Sequence, residues 1–560
     1  METGDQMNYM EKYAFWKSQT ALDQEMKKEL DQLTDQDIQE VFFSDITFGT
    51  GGLRGLMGVG TNRINIYVIR KATLGFARYI QKNKIPGGVA ISYDNRRHSK
   101  TFATEAAKVL AFVGIESYLF EELRPTPMLS FAVRHFKCAG GIMITASHNP
   151  KAYNGYKAYD RTGAQLNIED AEAVISEINQ IENPFLIQTV SNDLIHQVKS
   201  DFDELYLSLV QQIKIQDEPK KIKIVYSPLH GTGAKIIPSF LTREGYDVLP
   251  YLPQMKIDPN FSETDSSNPE EAAAYIHTIQ YAQQVQADII MVTDPDADRL
   301  GIAVRHKDNY QLLSGNQTAA IELYYILSQL KKQQKLPSKG FVYTTNVTTD
   351  MISVIASSYG MDVVTTLTGF KFIGEQAEKN QHKGPYIFGC EESYGSLIKD
   401  FVRDKDAVQA VYMLAEIANH VKLQGLTLID YLETIYQRYG YNYEYTKNIT
   451  LPGLSGTQRI ETIMNHYRAH PPVIEGRKLI KFDDIMHQKQ YQGNQVLPLD
   501  LPVSNVLKYH YEGQTWITFR PSGTEPKIKI YFGTQASSMA IAKDTVDALS
   551  EMISKEIEKL

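Results

Sequence analysis

The feature that most constrains this chain is a repeated order in which a short apolar run ends at, or one residue before, a polar side chain that could bind a ligand or react. Three such runs precede Ser147, Asp294 and Glu391, and they span Gly141–Thr145, Ala287–Thr293 and Tyr386–Gly389. Amphipathic segments with helical spacing separate them. Alternating buried strands and helices are typical of α/β units, which bind their ligands beyond the carboxyl ends of strands. The sequence therefore predicts an α/β protein with its functional residues at strand ends.

Several domains are expected from the length of the chain and from a change late in the sequence, where turn-rich strands replace the alternating strand and helix patterns. At 560 residues the chain exceeds what one hydrophobic core organises. Residues 9–43 have a helical character, with Asp23 as an N-cap and with Thr34 and Asp37 as a capping box. After residue 435, turn-rich strands precede a closing helix. We predict three similar mixed-sheet α/β/α units and a smaller C-terminal α+β domain. The four predicted domains span residues 1–197, 198–315, 316–434 and 435–560.

Composition argues against several classes of function. The net charge is −8 and no basic stripe is present, so nucleic acid is not an expected partner. No apolar run approaches the ~18 residues of a membrane-spanning helix, so we expect no membrane insertion. The polar, acidic start carries no secretory signal, and Cys138 and Cys390 are too few for a disulfide framework. We therefore expect a cytoplasmic protein.

Three aspartates follow the second apolar run at alternate positions, Asp294, Asp296 and Asp298. Carboxylates in this spacing can close around one hard divalent cation. An EF-hand calcium loop is excluded because its sixth and twelfth positions would be Arg299 and Arg305. A solvated acidic turn is the remaining alternative. Since Arg299 beside a metal suits a shared phosphate, we expect Mg²⁺ at this loop.

Ser147, in the segment Thr145–Pro150, is a candidate nucleophile. A serine in a Ser-His-Asn turn is weak evidence alone, because such turns are also structural and the adjacent His148 is not thereby its base. Lys157 follows an Asn154–Gly155 turn that we expect to fold its ammonium group back toward the serine. A lysine there balances phosphoryl charge or acts as an acid or base.

Two segments upstream of Ser147 are candidates for anion binding or for support of the serine loop. The glycine-rich run Phe48–Gly55 offers backbone N–H groups and the guanidinium of Arg54, an arrangement that suits an anion. The run Asp94–Arg97 mixes both charges. We interpret it as a structural ion-pair cluster that supports the serine loop, in preference to a direct role in chemistry.

Two later segments predict substrate binding. Glu391 and Ser393, two residues apart on an extended segment, face the same side and suit adjacent sugar hydroxyls, although such pairs also occur at strand edges. A compact site for a phosphate that does not react is formed by Arg520, Ser522, Gly523 and Thr524. This loop lacks the Gly-Lys-Ser/Thr of a P-loop, so nucleotide triphosphate chemistry is not supported.

Together these motifs resemble those of the α-D-phosphohexomutase superfamily over nearly the whole chain. The four signature loops of that family occur in family order at Thr145–Pro150, Asp294–Arg299, Gly389–Gly395 and Arg520–Pro526. The helical extension, the run Phe48–Gly55 and the run Phe401–Asp406 look most like the phosphoglucomutase/phosphopentomutase branch. The resemblance implies four domains around a central cleft, each of which contributes one loop.

The resemblance also implies a role for each candidate residue. Ser147 would be the phosphoserine, and Mg²⁺ would be held by its phosphate, Asp294, Asp296 and Asp298. The substrate-binding residues would be Glu391, Ser393, Thr368, Gly369 and Arg299, with Arg520, Ser522, Gly523 and Thr524 at the phosphate not in transfer. The candidates for acid/base and charge-balancing roles are Arg54, Lys157 and Lys405. The chain departs from the pattern at Gly395, where some relatives carry His.

The activity that the resemblance implies is interconversion of α-D-glucose 1-phosphate and glucose 6-phosphate through glucose 1,6-bisphosphate, which also serves as activator. Mannose and pentose phosphates are the alternative substrates, because pocket geometry alone separates them. A sugar-bisphosphate synthase would use the same loops. A non-catalytic phosphosugar-binding protein would need neither the nucleophile nor the full metal set. We expect small-molecule sugar phosphates as partners, and a monomer or weak homodimer.

Overall fold

A computed structural model of the chain describes residues 7–49, 52–451, 453–522 and 527–560. The described residues form two compact units. The first unit is drawn from residues 1–313, 373–383 and 394–424, and the second from residues 314–372, 384–393 and 425–560. In the part of the chain that the structure describes, no helix has the length and apolar character needed to cross a membrane. The four predicted domain boundaries stay predictions.

The N-terminal extension is helical, as predicted. Its helices are α1 (Tyr9–Lys17), α2 (Gln24–Gln32) and α3 (Asp35–Phe42). Asp23 caps α2 by accepting the N–H of Met26 at 2.8 Å. Thr34 and Asp37 form the predicted capping box, with reciprocal hydrogen bonds of 3.0 and 3.2 Å. An apolar cluster that includes Trp16 holds the three helices against the rest of the first unit.

The first sheet of the first unit carries the serine loop. Its strands are β1 (Leu53–Leu56), β2 (Val89–Tyr93), β3 (Ser117–Phe120), β4 (Gly140–Ile144), β5 (Tyr153–Tyr159) and β6 (Ile195–Val198). They lie in the order β1-β5-β4-β2-β3-β6, with β2, β3, β4 and β6 parallel and with β5 antiparallel to β1 and β4. The helices of this part are α4 (Ile66–Lys82), α5 (Ser99–Phe112), α6 (Thr126–His135) and α7 (Ile168–Asn179).

The predicted Asn154–Gly155 turn is wrong, because both residues lie inside β5. That strand pairs on both sides, so its backbone is extended. Glycine is required at 155 because a Cβ there would lie 2.6 Å from the carbonyl oxygens of Leu53 and Thr145. Lys157 therefore reaches its position along a strand that runs beside β4.

The second sheet of the first unit carries the aspartates. Its strands are β7 (Lys223–Ser227), β8 (Asp247–Pro250), β9 (Ile289–Thr293), β10 (Leu300–His306) and β11 (Asn309–Leu313). They lie in the order β11-β10-β9-β7-β8, with β7, β8 and β9 parallel and β10 antiparallel to β9 and β11. Its helices are α8 (Asp201–Gln211), α9 (Gly233–Arg243), α10 (Leu252–Met255) and α11 (Ile276–Val285), and short 3₁₀ turns span Pro184–Leu186 and Ala272–Tyr275.

A third parallel group of strands lies in the second unit. The order is β13 (Asp362–Thr366), β12 (Phe341–Thr345) and β14 (Tyr386–Glu391). The strand β15 (Gly395–Leu397) follows in the chain. The helices between residues 315 and 439 are α12 (Gly315–Lys332), α13 (Met351–Ser358), α14 (Phe370–Asn380), α15 (Ala407–Leu423) and α16 (Leu428–Tyr439). The turn predicted over residues 367–372 is shorter than expected, because α14 already begins at Phe370.

The second unit ends in an antiparallel sheet. Its strands are β16 (Tyr441–Thr450), β17 (Leu479–Asp484), β18 (Lys489–Gln492), β19 (Gln495–Pro498), β20 (Leu507–Tyr511), β21 (Thr515–Pro521) and β22 (Lys527–Ala536), in the order β16-β22-β21-β20-β17-β18-β19. A 3₁₀ turn spans Ile485–His487. The helices α17 (Gly453–Ala469) and α18 (Met539–Ile557) pack on this sheet over a core that includes Ile463, Phe519 and Ile553. The predicted class, three α/β/α parts and a sheet-rich C-terminal part, is confirmed.

Candidate active site

Ser147 lies three residues beyond the end of β4, where the sequence predicts a ligand-binding loop. Its backbone is left-handed, with φ +50°, a conformation that non-glycine residues adopt mainly where the surrounding structure enforces it. The backbone N–H of Ser147 donates to Thr145 Oγ1 at 2.8 Å, and that hydroxyl donates to Asp94 Oδ2 at 2.7 Å. The residue is only 2% exposed. The serine is thus held in one backbone geometry by the loop around it.

Arg96 is the main support of this loop. Its Nη2 donates to the carbonyl oxygens of Ser147 and Asn149, both at 2.5 Å, and its Nη1 donates to those of Pro150 and Tyr153 at 2.9 and 3.1 Å. Its Nε lies 3.2 Å from Asp94 Oδ2, with both side chains fully buried. The structural role predicted for the cluster Asp94–Arg97 is therefore confirmed for its buried members.

The three aspartates converge in the turn that follows β9. One carboxylate oxygen of each lies within 4.8 Å of the others, and all three residues are buried. The backbone N–H groups of Asp298 and Arg299 both donate to Asp294 Oδ1, at 3.0 and 2.9 Å, which closes the turn. Ser147 Oγ donates to Asp294 Oδ2 at 2.7 Å, so the candidate nucleophile and the carboxylate cluster are in direct contact.

Two buried lysines face the same carboxylates. Lys157 Nζ lies 2.8 Å from Asp296 Oδ2 and 3.4 Å from Asp298 Oδ2. Lys405 Nζ lies 3.3 Å from Asp298 Oδ2 and 3.1 Å from Asp404 Oδ1. Burial lowers the pKa of Lys157, but the nearby carboxylates outweigh it and raise the pKa above its ordinary value. Positive charge is therefore concentrated beside Ser147 and the aspartates, where a phosphoryl group would need it.

The departure at Gly395 has a steric explanation. A Cβ at this position would lie 2.1 Å from Cδ of Lys405, so the lysine stem occupies the space that a larger residue would need. Lys405 is 6% exposed and belongs to the same unit as Ser147. The stem of Lys405 therefore packs directly against Gly395.

The carboxylate cluster fits a hard divalent cation. Neither Asp296 Oδ1 nor Asp298 Oδ1 has a hydrogen-bond partner among the described residues, although both atoms are buried. Buried carboxylate oxygens without a donor are unfavourable, and a cation satisfies them. Burial and the charges of Asp296 and Asp298 raise the pKa of Asp294 well above its ordinary value, which reflects the same excess of negative charge. All-oxygen donors suit Mg²⁺.

We predict that Mg²⁺ stabilises the protein through this cluster. At a hundredfold excess over its dissociation constant, a ligand that binds only the folded state adds about 2.7 kcal/mol. Thermal unfolding followed during a Mg²⁺ titration should show a saturable rise in Tm, and Asp298→Asn should remove that rise. The matched change at an exposed aspartate, Asp45→Asn, should keep it. An unaltered response in Asp298→Asn would place the cation elsewhere.

Two of the predicted site arginines, Arg54 and Arg299, lie in different parts of the first unit. Arg54 lies in β1, is exposed, and donates from Nη1 to Asn149 Oδ1 of the serine loop at 3.1 Å. Thr50 and Gly51, in the predicted glycine-rich cradle, lie outside the described residues. Arg299 forms an ion pair with Glu270, a partner that was not predicted from the sequence.

Two further residues, which the sequence did not predict, position the site. Thr126, at the start of α6, donates from Oγ1 to Asp296 Oδ2 at 3.0 Å, and its N–H donates to the Asp296 carbonyl at 2.9 Å. Asp404 accepts the hydroxyl of Tyr159 at 2.8 Å while it pairs with Lys405. Asp404 lies within the run Phe401–Asp406, whose resemblance to the phosphoglucomutase/phosphopentomutase branch was the one sequence feature that could have identified it. Thr126 had no sequence signal.

The second unit holds the residues predicted for the sugar. Glu391, the last residue of β14, accepts the N–H of Gly369 at 2.7 Å, so the structure joins two predicted sugar-binding segments. Thr368 Oγ1 is buried and has no hydrogen-bond partner in the described ranges, which leaves it available for a ligand. The prediction that Glu391 and Ser393 share one extended segment is wrong, because Ser393 lies in the turn after β14.

The predicted phosphate loop is described in part. Arg520 lies in β21, directly opposite Lys529 of β22, and it donates from Nη1 to Tyr531 Oη at 3.4 Å. The N–H of Ser522 donates to the Lys527 carbonyl at 2.7 Å. Like charges directly opposite each other in a sheet repel, and an anion near both would offset that repulsion. Gly523 and Thr524 lie outside the described residues.

The chain is similar to known proteins over almost its whole length. Three models of the phosphoglucomutase/phosphomannomutase family match: alpha/beta/alpha domain I over residues 45–185, domain II over 204–307 and domain III over 314–439. The chain is 36% identical to the phosphoglucomutase of Staphylococcus aureus strain MRSA252, covering 94% of this chain and 97% of the relative. It is 35% identical to that of Staphylococcus epidermidis strain ATCC 12228, covering 96% and 98%.

Solved structures share the fold. A putative phosphomannomutase from Thermus thermophilus superposes with a TM-score of 0.68 at 21% identity, covering 91% of this chain and 99% of that chain. The Paramecium parafusin, a phosphoglucomutase in its open form, gives 0.67 at 18% identity, covering 92% and 96%. The Aspergillus fumigatus N-acetylphosphoglucosamine mutase in complex with GlcNAc-6P and magnesium gives 0.52 at 13% identity, covering 92% and 96%.

Proposed function

This chain belongs to the phosphoglucomutase/phosphomannomutase family, and we propose that it is a phosphoglucomutase that interconverts α-D-glucose 1-phosphate and glucose 6-phosphate through a phosphoserine at Ser147. The observation that carries the proposal is the contact of Ser147 Oγ with Asp294 Oδ2 at 2.7 Å, inside a buried cluster of three carboxylates. A structural serine has no need of such surroundings. The two lysines beside the carboxylates supply the positive charge that phosphoryl transfer requires.

The reaction divides into two transfers on the same nucleophile. In the first, the bond between phosphorus and Ser147 Oγ breaks, a bond forms to the free hydroxyl oxygen of glucose 1-phosphate, and the hydroxyl proton leaves to a base. The product is glucose 1,6-bisphosphate. After the bisphosphate turns around, its other phosphoryl group moves to Ser147 Oγ, and the departing oxygen takes a proton. Glucose 1,6-bisphosphate is thus both the intermediate and the activator that restores a lost phosphoserine.

Different residues of the first unit serve different parts of this reaction. Lys157, Lys405 and Arg54 are the residues that we propose for acid/base and charge-balancing roles. Asp294, Asp296 and Asp298 would hold Mg²⁺ together with the phosphate on Ser147. When bound, Mg²⁺ neutralises charge on the phosphoryl oxygens. Arg96 keeps the Ser147 loop in place, and the burial of Ser147 excludes water that would hydrolyse the phosphoserine.

The residues of the second unit would bind the parts of the substrate that do not react. We propose that Glu391, Ser393, Thr368 and Gly369 bind the sugar hydroxyls, and that Arg299 of the first unit contributes to substrate binding. The phosphate not in transfer would be bound by Arg520, Ser522, Gly523 and Thr524. We further propose a cytoplasmic enzyme that acts on small sugar phosphates as a monomer or weak homodimer.

A substrate comparison tests the proposal. A coupled assay with Mg²⁺ and catalytic glucose 1,6-bisphosphate should give turnover of glucose 1-phosphate at a higher kcat/KM than mannose 1-phosphate or ribose 1-phosphate. Glucose and mannose differ in the orientation of one hydroxyl, so hydrogen-bonding residues such as Glu391 should separate them. A higher kcat/KM for mannose 1-phosphate or ribose 1-phosphate would instead indicate a phosphomannomutase or a phosphopentomutase. No turnover of any of the three by folded protein would contradict the mutase proposal.

A further inference from the structure

Glu392 is a half-buried carboxylate that the proposed mechanism does not use. It follows Glu391 directly but takes a different set of partners. Its Oε2 accepts from Thr345 Oγ1 at 3.3 Å and from Thr348 Oγ1 at 3.5 Å, and these two hydroxyls lie 2.8 Å apart. Glu391 instead accepts the N–H of Gly369. The two neighbouring carboxylates are therefore directed to different parts of the second unit.

The turn that binds Glu392 packs against the strands of the predicted phosphate loop. Val347, between the two threonines, forms a buried cluster with Trp516 of β21 and Tyr531 of β22. Tyr531 accepts a hydrogen bond from Arg520, and Arg520 lies directly opposite Lys529. This chain of contacts places the cations of the phosphate loop beside the turn that holds Glu392.

The charged groups on the two sides of this contact, Glu392 on one side and Arg520 with Lys529 on the other, interact electrostatically. Burial, followed by the charge of Glu391, raises the pKa of Glu392 to about 7 against the opposing effects of Lys529 and Arg520. Burial lowers the pKa of Arg520, but Tyr531, Glu392 and Glu391 outweigh burial and raise it. Glu392 thus interacts with the same guanidinium that would bind a phosphate, and it changes its charge near neutral pH.

We propose that Glu392 is an electrostatic counter-charge that limits how tightly the Arg520 anchor binds a phosphate dianion. A carboxylate beside this anchor repels a dianion, and a neutral side chain does not. In a mutase the phosphate anchor must release the bisphosphate so that it can turn around. A carboxylate that weakens the anchor favours that release. The inference rests on the proposed function for the identity of Arg520 as a phosphate anchor.

The test uses sulfate, which stays a dianion throughout the range studied. Sulfate affinity would be measured by isothermal titration calorimetry on the full chain, with Arg520→Met to identify the signal that belongs to this anchor. At about pH 8, Glu392→Gln should bind sulfate about tenfold more tightly than the wild type, and at about pH 6 the two should agree within about twofold. A structural defect would weaken binding, so a gain distinguishes the two roles. Unchanged or weaker sulfate binding by Glu392→Gln at pH 8 would overturn the inference.

The neighbouring residue supplies a matched control. Glu391→Gln is the same isosteric change, one residue away, at a residue proposed to bind the sugar. It should raise the KM for glucose 1-phosphate, whereas Glu392→Gln should lower it at pH 8. If Glu392→Gln does not fold, the pH dependence of sulfate binding by the wild type tests the inference instead. Its sulfate affinity should rise about tenfold from pH 8 to pH 6, because Glu392 becomes protonated, and a flat profile would overturn the inference.

The outcome separates this inference from the proposed function. Mutase activity together with unchanged sulfate binding in Glu392→Gln would overturn only the counter-charge. A gain in sulfate affinity without mutase activity on any sugar phosphate would overturn only the proposed reaction. Among the described residues, the charges that act most strongly on Glu392 are those of Glu391, Lys529 and Arg520, and all three are unchanged in Glu392→Gln.

Discussion

Ser147→Ala is expected to abolish the interconversion of glucose 1-phosphate and glucose 6-phosphate. Without Oγ there is no atom to carry the phosphoryl group between the two transfers, and loss of the nucleophile in a covalent mechanism lowers kcat by at least about 10⁴-fold. The change is expected to leave the fold intact, because alanine fits the same space and only the hydroxyl contacts with Asp294 Oδ2 and His148 Nδ1 are lost. Steady-state kinetics and the far-ultraviolet circular dichroism of the same sample would test both statements.

A control substitution at a second serine, Ser267, distinguishes loss of the nucleophile from loss of support for the serine loop. Ser267 Oγ donates to the carbonyl oxygen of His148 at 2.9 Å, so Ser267→Ala removes a hydroxyl that holds the same loop without touching the proposed reacting atoms. We expect a loss of activity no greater than about tenfold from the loss of one neutral hydrogen bond. Equal losses in Ser147→Ala and Ser267→Ala would contradict the role of Ser147 as nucleophile.

Arg96→Met is expected to have the second largest effect, on both stability and activity. Methionine fills much of the space but leaves the carboxylate of Asp94 buried without its charged partner, which costs about 3–5 kcal/mol. The carbonyl groups of Ser147, Asn149, Pro150 and Tyr153 also lose their hydrogen bonds from the guanidinium. A displacement of the nucleophile by about 1 Å lowers the rate by roughly 10²-fold. Thermal unfolding and kcat/KM would be measured on the same protein.

The adjacent arginine is the matched control for this prediction. Arg97 carries the same charge but makes an exposed contact with Asn260 at 3.2 Å. Arg97→Met should change the free energy of unfolding by no more than about 0.5 kcal/mol. If Arg96→Met retained the stability and kcat/KM of Arg97→Met, the four carbonyl contacts would not be what positions Ser147.

The residues that follow strands were predictable because strand ends fix where a loop begins. Asp294 follows strand β9 directly and Ser147 lies three residues beyond strand β4, and in parallel α/β folds ligands usually bind at such strand ends. The caps of the N-terminal helices were predictable for a related reason. Asp23 and Thr34 satisfy backbone N–H groups only a few residues away, so local sequence decides them.

Contacts between segments distant in the chain were not predictable in the same way. An Asn-Gly pair is a strong turn signal, but in this protein Asn154 and Gly155 lie in a strand because β1 and β4 pair with both of its edges. The pairing of Lys157 and Lys405 with the same carboxylate joins segments far apart in the sequence. The contact of Thr126 with Asp296 is of the same kind. Such contacts depend on how strands are arranged in a sheet, which local pattern does not determine.

The most direct test of the account follows the phosphoryl group itself. The protein would be incubated with Mg²⁺ and glucose 1-phosphate labelled with ³²P, then denatured and digested, and the labelled peptide would be identified by mass spectrometry. We predict label on the peptide that contains Ser147, and its loss when unlabelled glucose 1-phosphate is added before denaturation. Formation of glucose 6-phosphate with no label on Ser147, or with stable label on another residue, would contradict the account.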